Sequence, residues 1–235
     1  MKKIFRFLLK SILAILAIII IAIITLKIVY TEDVPQGKSG KLADDLALKI
    51  LDAINHKQFT EVNEIQWTFR GVNKYEWKVQ QNLVDVYWGD YRVAYQTQKP
   101  QSSFAFKDGK PLKGEEKDEA IAYAAKNFNN DSFWVVAPYK IFDLGTTREL
   151  IIEDGKEKLL VTYNSGGTTP GDSYLWEVDD NYRPTSFKMW VSILPLDAIE
   201  AKWSDWEITA GDFPLAQKRS ILGVTIPVTD LKVNP

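Results

Sequence analysis

The residues of this chain whose types and spacing suggest a function are aromatic. The function that they suggest is non-covalent binding. The sequence has eight tryptophans, ten tyrosines and eleven phenylalanines. Many alternate with polar residues over short runs, which places them together on one face of a strand. Aromatic side chains that line the concave side of a curved sheet form an apolar pocket, the usual site for a hydrophobic ligand. The alternative is an aromatic core that holds no ligand.

Eight residues form the predicted hydrophobic ligand cavity. Six share the alternating apolar face of their strands and are expected on the concave side, namely Trp67, Phe69, Tyr75, Trp77, Val86 and Trp88. Two more are candidates for the opposite rim, namely Trp134 and Trp190. If all of these side chains pack fully against each other they make a core, whereas side chains that face an opening make a pocket.

The sequence contains few residues suited to catalysis or metal binding. The chain has no cysteine, which excludes thiol catalysis, thiolate metal sites and iron–sulfur clusters. Its one histidine, His56, follows a predicted helix end, where it is expected to cap carbonyls or face solvent. We therefore predict no cofactor, no metal and no enzymatic activity. A hydrolase that uses scattered Asp and Glu side chains ranks third, behind a binding module and a scaffold.

Two segments invite functional interpretations that their details do not support. Four carboxylates lie within residues 115–119, but the spacing and turn glycine of a calcium loop are absent. Acidic residues at the start of a helix complement its dipole, so we interpret this cluster as structural. Residues 165–171 are rich in glycine but contain no lysine, and no helix is predicted after them. A flexible connection is therefore expected there rather than a phosphate-binding loop.

The elements that must position the aromatic residues are predicted from periodicity. Apolar residues recur every four positions across 41–55, which predicts a helix with one buried face. The period then changes to two over 65–95, which predicts a meander of four antiparallel strands. A second helix is expected over 115–127. Further strands are predicted over 133–137, 150–153, 158–163, 174–178, 185–193, 201–210 and 220–228. The fold class is therefore mainly β (α+β), a largely antiparallel sheet with two or three helices in one domain over 41–235.

The N-terminal segment predicts the location of the protein. The run from Ile12 to Leu26 has one polar residue, Thr25, and basic residues flank it: Lys2, Lys3, Arg6, Lys10 and Lys27. Crossing a bilayer takes about 20 residues, which residues 7–30 supply if the flanking lysines reach the interfaces. We predict a single-pass inner-membrane anchor over 1–30, a tether over 31–40 and a periplasmic domain. A cleaved signal peptide is the alternative, although no small-residue cleavage site follows the run.

The net charge of residues 31–235 limits the partners that can be expected. Residues 31–235 contain 24 basic and 31 acidic residues, a net charge of about −7, without a basic cluster. A nucleic-acid partner is therefore not expected. The predicted partners are a lipid or lipoprotein acyl chain and, through the N-terminal helix, the membrane. We expect the domain to be a monomer.

The order of these elements, together with several short segments, resembles a known group of proteins. The segments are residues 129–140 (NNDSFWVVAPYK), 143–145 (DLG), Tyr163, 169–172 (TPGD), 176–179 (WEVD) and 183–184 (RP). They resemble exported bacterial proteins related to the LolA/LolB lipoprotein carriers, especially Bacteroidetes-type members. The resemblance implies an incomplete antiparallel β-barrel, closed by helices, with an apolar cavity for acyl chains.

This sequence also departs from the carriers. The soluble carrier has a cleaved signal and the receptor is attached through a cysteine, whereas this chain has a predicted anchor and no cysteine. A fixed lipid- or lipoprotein-handling module is therefore expected rather than a shuttle. The alternative is a ligand-free scaffold or interaction module of a cell-envelope complex.

Overall fold

The computed structural model describes residues 2–30 and 32–235, without the side chains of 2–5, 8, 22–24 and 26–30. Helix α1 spans Lys2–Tyr30, and its described apolar side chains from Phe7 to Ile21 are largely exposed. Among the described residues, no helix is both long enough and apolar enough to cross a membrane. The predicted anchor over 1–30 includes positions outside the described residues, and it stays a prediction.

Three further α-helices and fifteen strands follow in the described chain. The helices are α2 (Lys41–Ala53), α3 (His56–Glu61) and α4 (Gly114–Val136). The first strands are β1 (Lys38–Ser39), β2 (Glu64–Phe69), β3 (Asn73–Lys78), β4 (Leu83–Trp88), β5 (Tyr91–Gln96), β6 (Phe104–Lys107) and β7 (Lys110–Pro111). The later strands are β8 (Thr146–Glu153), β9 (Lys156–Tyr163), β10 (Ser173–Val178), β11 (Pro184–Trp190), β12 (Ile199–Ile208), β13 (Pro214–Ile221), β14 (Val224–Thr225) and β15 (Val228–Asn234).

The strands form two antiparallel sheets. Sheet A has eight strands in the order β1-β8-β9-β10-β11-β12-β13-β14, and sheet B has seven in the order β15-β2-β3-β4-β5-β6-β7. Most neighbouring strands are consecutive in sequence and form hairpins, as the predicted meander requires. Strand β15 instead returns to pair with β2. The mainly β, antiparallel prediction is confirmed. The structure corrects one detail, because there are two sheets instead of one curved sheet. The three helices that follow α1 agree with the predicted two or three. The described strands form no closed barrel, and the incomplete barrel that the resemblance implied stays a prediction.

Both sheets and helices α2, α3 and α4 share one main hydrophobic core. It includes Ile50 of α2, Phe59 of α3 and Phe128 of α4, together with the apolar faces of both sheets. A smaller cluster lies on the opposite face of sheet A and consists of Ile151, Leu160, Leu175 and Trp190. Successive side chains of a strand point to opposite faces, which explains why neighbours in sequence join different clusters.

Two local predictions are wrong. The predicted strand over 133–137 is instead the last turns of α4, followed by a 3₁₀ turn at Ala137–Lys140. Phe128, Ser132 and Val135 are buried at helical spacing, so packing against the core favours a helix. The predicted strand over 220–228 is divided between β13, β14 and β15. The break is at Leu222 and Gly223, which have positive φ angles of 48° and 78° and form a hairpin turn.

Candidate functional site

Sheet B contributes one aromatic wall to the interior. Trp67 of β2 and Tyr75 of β3 pair across the strands, and their rings stack with centroids 4.7 Å apart. Neither is more than 1% exposed. Phe128 of α4 lies over both rings, 6.2 Å from Trp67 and 6.1 Å from Tyr75. At this position helix α4 therefore fills the space that the sequence predicted to be an open pocket.

The edge of this wall is partly open to solvent. Trp88 at the end of β4 stacks on Tyr91 of β5 at 5.2 Å and on Tyr123 of α4 at 4.4 Å. Trp88 and Tyr91 are half-buried, and Tyr123 is 37% exposed. In this half of α4, which packs on β5 and β6, the fully buried residues are the alanines Ala120 and Ala124. We call the contact formed by Trp88, Tyr91, Tyr123 and these two alanines the α4 seam.

The structure brings together seven of the eight predicted cavity residues. Trp67, Phe69, Tyr75 and Val86 are buried in the main core, while Trp77, Trp88 and Trp134 are half-buried against it. Trp134 belongs to α4 and faces sheet A, with its ring 6.0 Å from that of Phe187.

Trp190 does not join the other predicted cavity residues. It packs in the small cluster on the opposite face of sheet A, and its indole Nε1 donates a 2.7 Å hydrogen bond to the Glu32 carbonyl. Phe187 and Met189 of the same strand face the main core, so the alternation of the strand directs Trp190 away from it.

A buried polar network on the sheet B side was not predicted from the sequence. Asp131 of α4 is 2% exposed. Its Oδ2 accepts hydrogen bonds from Tyr75 Oη at 2.6 Å and Asn73 Nδ2 at 3.1 Å, and its Oδ1 accepts one from Asn130 Nδ2 at 2.9 Å. Burial, reinforced by the Asp131 carboxylate, raises the pKa of Tyr75 above its usual value, so its hydroxyl remains a donor. The network fastens α4 to β3.

Sheet A contributes a second aromatic wall. Trp176 of β10 lies 4.8 Å from Phe187 of β11 and 5.8 Å from Trp203 of β12. Both tryptophans are fully buried. Their indole Nε1 atoms have no acceptor among the described residues. An indole N–H that is buried in a protein usually has a partner, so this wall departs from the ordinary pattern.

Arg219 of β13 is the most unusual residue of this wall. It pairs with Trp203 across the strands, is 2% exposed, and places its Cζ 5.6 Å from the centre of the Trp203 ring. None of the salt bridges in the described part of the chain includes Arg219. Burial lowers the pKa of Arg219 to about 10, so the guanidinium remains protonated at neutral pH. A buried cation without a counter-ion is rare in folded proteins.

The remaining features of the described residues are two surface depressions and the surroundings of His56. Two surface depressions of about 450 and 480 Å³ lie beside Glu32–Val34 and on the outer side of α2. Neither is lined by the sheet B wall or by Arg219. His56 begins α3 and packs beside the stacked rings of Phe59 and Tyr139, at 6.0 and 6.3 Å from their centres. In the described chain, no three His, Asp or Glu side chains come together as a metal site would require.

Comparison with known proteins gives limited information. No protein-family model matches the chain, and no curated protein matches it. One solved structure, the 1.75 Å crystal structure of a DUF1329 family protein from Desulfovibrio piger, aligns over 81% of this chain and 92% of its own. The identity is 9% and the TM-score is 0.39. Similarity at this level establishes neither a shared family nor a shared function.

Proposed function

We propose that this protein is a non-enzymatic binding module that takes a hydrophobic ligand, a lipid or lipoprotein acyl chain, between its two sheets. The observation that carries the proposal is the α4 seam, where half-buried aromatic rings lead from solvent to an interior lined by aromatic side chains. Helix α4 contacts β5 and β6 on one side and β13 on the other, so its displacement would open the interior between the walls. The proposal includes the membrane attachment and periplasmic location predicted from the sequence.

The composition of the seam supports opening at this place. Burial of an alanine methyl contributes about 0.8 kcal/mol, whereas burial of a large apolar side chain contributes about 1.5–3 kcal/mol. Separating this half of the helix from β5 and β6 exposes the two alanines and the contact faces of side chains that are already partly open to solvent, among them Ile121, Trp88 and Tyr123. An acyl chain that enters gains about 0.8 kcal/mol for each buried CH₂, which offsets that exposure once enough methylenes are buried.

A ligand-free scaffold is the second candidate. It is favoured by the burial of Trp67, Phe69, Tyr75 and Val86, each of which is at most 5% exposed. A fully packed core of this kind needs no ligand. The two candidates differ in one measurable property, because a scaffold does not bind an acyl probe.

The test is binding of a fluorescent fatty-acyl probe to the purified full-length protein, together with mass spectrometry of its organic extract. The wild type is expected to bind the probe and to release a co-purified lipid. Trp88→Glu should abolish probe binding without unfolding the protein, because Trp88 is half-buried at the seam and its replacement places a charge at the entrance.

Ile208→Glu is the matched control. Ile208 is exposed on β12, and the same change should leave binding intact. Failure of the wild type to bind, or equal binding by the Trp88→Glu protein, decides in favour of the scaffold.

A further inference from the structure

The buried side-chain nitrogen and oxygen atoms that lack a hydrogen-bond partner among the described residues are all donors. Within the described residues they are Trp67 Nε1, Trp176 Nε1, Arg183 Nε, Trp203 Nε1, Arg219 Nε and Arg219 Nη2. Each is an N–H donor, and no acceptor is among them. An interior with unpaired donors alone is chemically matched to a group that brings acceptors.

Four of these six atoms belong to three neighbouring residues of sheet A. Arg219 lies over the Trp203 ring at 5.6 Å, and the Trp203 ring is 5.8 Å from that of Trp176. The guanidinium of Arg219 supplies the positive charge of this set of three residues. A planar guanidinium binds carboxylate and phosphate through two parallel hydrogen bonds, and the aromatic face beneath it keeps the fork in place.

A purely structural role for Arg219 does not account for this environment. Buried arginines are normally paired with carboxylates or carbonyl oxygens, since an isolated buried charge is strongly unfavourable. Here the nearby interactions of the guanidinium in the described chain are with an aromatic ring, and two of its nitrogens have no acceptor. The exposed neighbour Lys218, by contrast, pairs with Asp205 at 2.6 Å.

We infer that Arg219, with the indoles of Trp203 and Trp176, binds the anionic headgroup of a long-chain amphiphile, a carboxylate or a phosphate. The inference rests on the proposed function, because the chain of the amphiphile lies among the interior aromatic side chains. The connection between the two regions is α4. This helix packs on β13, the strand of Arg219, and its Trp134 contacts Phe187, which lies beside Trp176.

The experiment compares three ligands of equal chain length that differ only in the headgroup: palmitate, hexadecyl phosphate and hexadecanol. Each displaces a fluorescent acyl probe from the wild-type full-length protein at neutral pH, below its aggregation limit. At least one anion is expected to bind about tenfold more tightly than the alcohol or better, as a charged hydrogen-bonded pair provides. The tighter of the two anions identifies the headgroup as carboxylate or phosphate.

Variants then assign the preference to Arg219. Arg219→Met keeps the length and apolar contacts of the side chain and should bind all three ligands with similar affinity. Lys218→Gln removes an exposed positive charge from the next position of the same strand and should keep the wild-type preference. If Arg219→Met does not fold, Arg219→Lys, which keeps the charge but loses the planar fork, should show a reduced preference.

The outcomes separate this inference from the proposed function. Equal binding of all three ligands by the wild type overturns the headgroup site and leaves the hydrophobic binding module standing. An unchanged preference for the anion in either Arg219 variant also overturns it. No binding of any ligand by the wild type overturns the proposed function and the headgroup site together.

Discussion

A buried charged residue lies at each of the two aromatic walls of the interior, and the hydrogen bonding of these two residues differs. Asp131, beside the sheet B wall, and Arg219, in the sheet A wall, are both 2% exposed. The Asp131 carboxyl oxygens accept three hydrogen bonds. The Arg219 guanidinium has two nitrogens without any acceptor among the described residues. The network around Asp131 is complete in its hydrogen bonding, whereas the guanidinium of Arg219 is not, and we call these two regions the complete side and the incomplete side.

We interpret this difference as one between the framework of the fold and the proposed binding surface. A satisfied buried network fixes the geometry of the elements that it joins, here α4 and β3. Unpaired buried donors are unfavourable for folding and are expected where a ligand supplies the acceptor. The separation is not complete, because Trp67 Nε1 on the sheet B side also lacks an acceptor.

The largest expected loss of stability comes from removing the Asp131 carboxylate on the complete side. Asp131→Ala leaves Tyr75, Asn73 and Asn130 without their acceptor inside the protein. We expect the free energy of unfolding to fall by about 3 kcal/mol or more, as for other broken buried networks. Urea unfolding followed by tryptophan fluorescence measures the change.

Glu119→Ala is the control for this variant, since Glu119 is an exposed carboxylate of the same helix. It should change stability by no more than about 0.5 kcal/mol. Similar losses for the two variants would show that the Asp131 network does not fasten α4.

The elements of the fold were predictable where the signal is local. The period-two pattern of β2 to β5 is a property of adjacent residues, and the structure confirms these strands. The end of α4 was not predictable in the same way. Residues 133–137 are continuously apolar, and such a run is compatible with a strand or a buried helix. Only packing against the core decides between them.

The second prediction concerns Arg219 on the incomplete side, and the expected change in the free energy of unfolding has the opposite sign. Arg219→Met replaces a buried, unpaired cation by an apolar side chain of similar length. Without ligand, the free energy of unfolding should rise by about 1–3 kcal/mol, because no ion pair is lost and the desolvation of a charge is avoided. Thermal unfolding of delipidated protein measures this. A clear destabilisation would mean that Arg219 has a structural partner, and the contrast between the walls would fail.

The key residues of the candidate site could not be recognised from the sequence because their contacts are distant along the chain. Tyr75 and Asp131 are separated by 56 positions, and no local pattern indicates their hydrogen bond. Arg219 follows Lys218 in a stretch where basic residues are ordinary on an exposed strand face. Its burial depends on the register of β13 against β12, which places it opposite Trp203. The aromatic face of sheet B, by contrast, was visible in the alternation itself.

A third effect, smaller than that of Asp131→Ala, isolates one hydrogen bond of the complete side. Tyr75→Phe keeps the ring stacked on Trp67 and removes the hydroxyl that donates to Asp131 at 2.6 Å. We expect a loss of about 1.5–3 kcal/mol, the usual contribution of a hydrogen bond to a charged group. Tyr95→Phe on β5 is the control, because the Tyr95 hydroxyl has no hydrogen bond to another described side chain, and it should have little effect. Equal losses in the two variants would mean that the hydrogen bond from Tyr75 to Asp131 makes no contribution of its own to stability.

The smallest effect concerns His56, which is partly buried and, unlike Arg219, can release its proton. It tests whether burial disfavours the charged form of this side chain. Burial lowers the pKa of His56 below its usual value of 6.5, against smaller opposing effects of the Tyr139 backbone and Asp143. Arg219 must remain charged, whereas His56 becomes neutral in the folded protein. The unfolded chain therefore binds the proton first as pH falls through about 6.5, so this residue lowers stability progressively toward its folded pKa. His56→Gln cannot titrate, and its loss of stability between pH 7.5 and 5.5 should be smaller than that of the wild type. Urea unfolding at both pH values decides the point: parallel losses in the two proteins would mean that burial of His56 does not favour its neutral form.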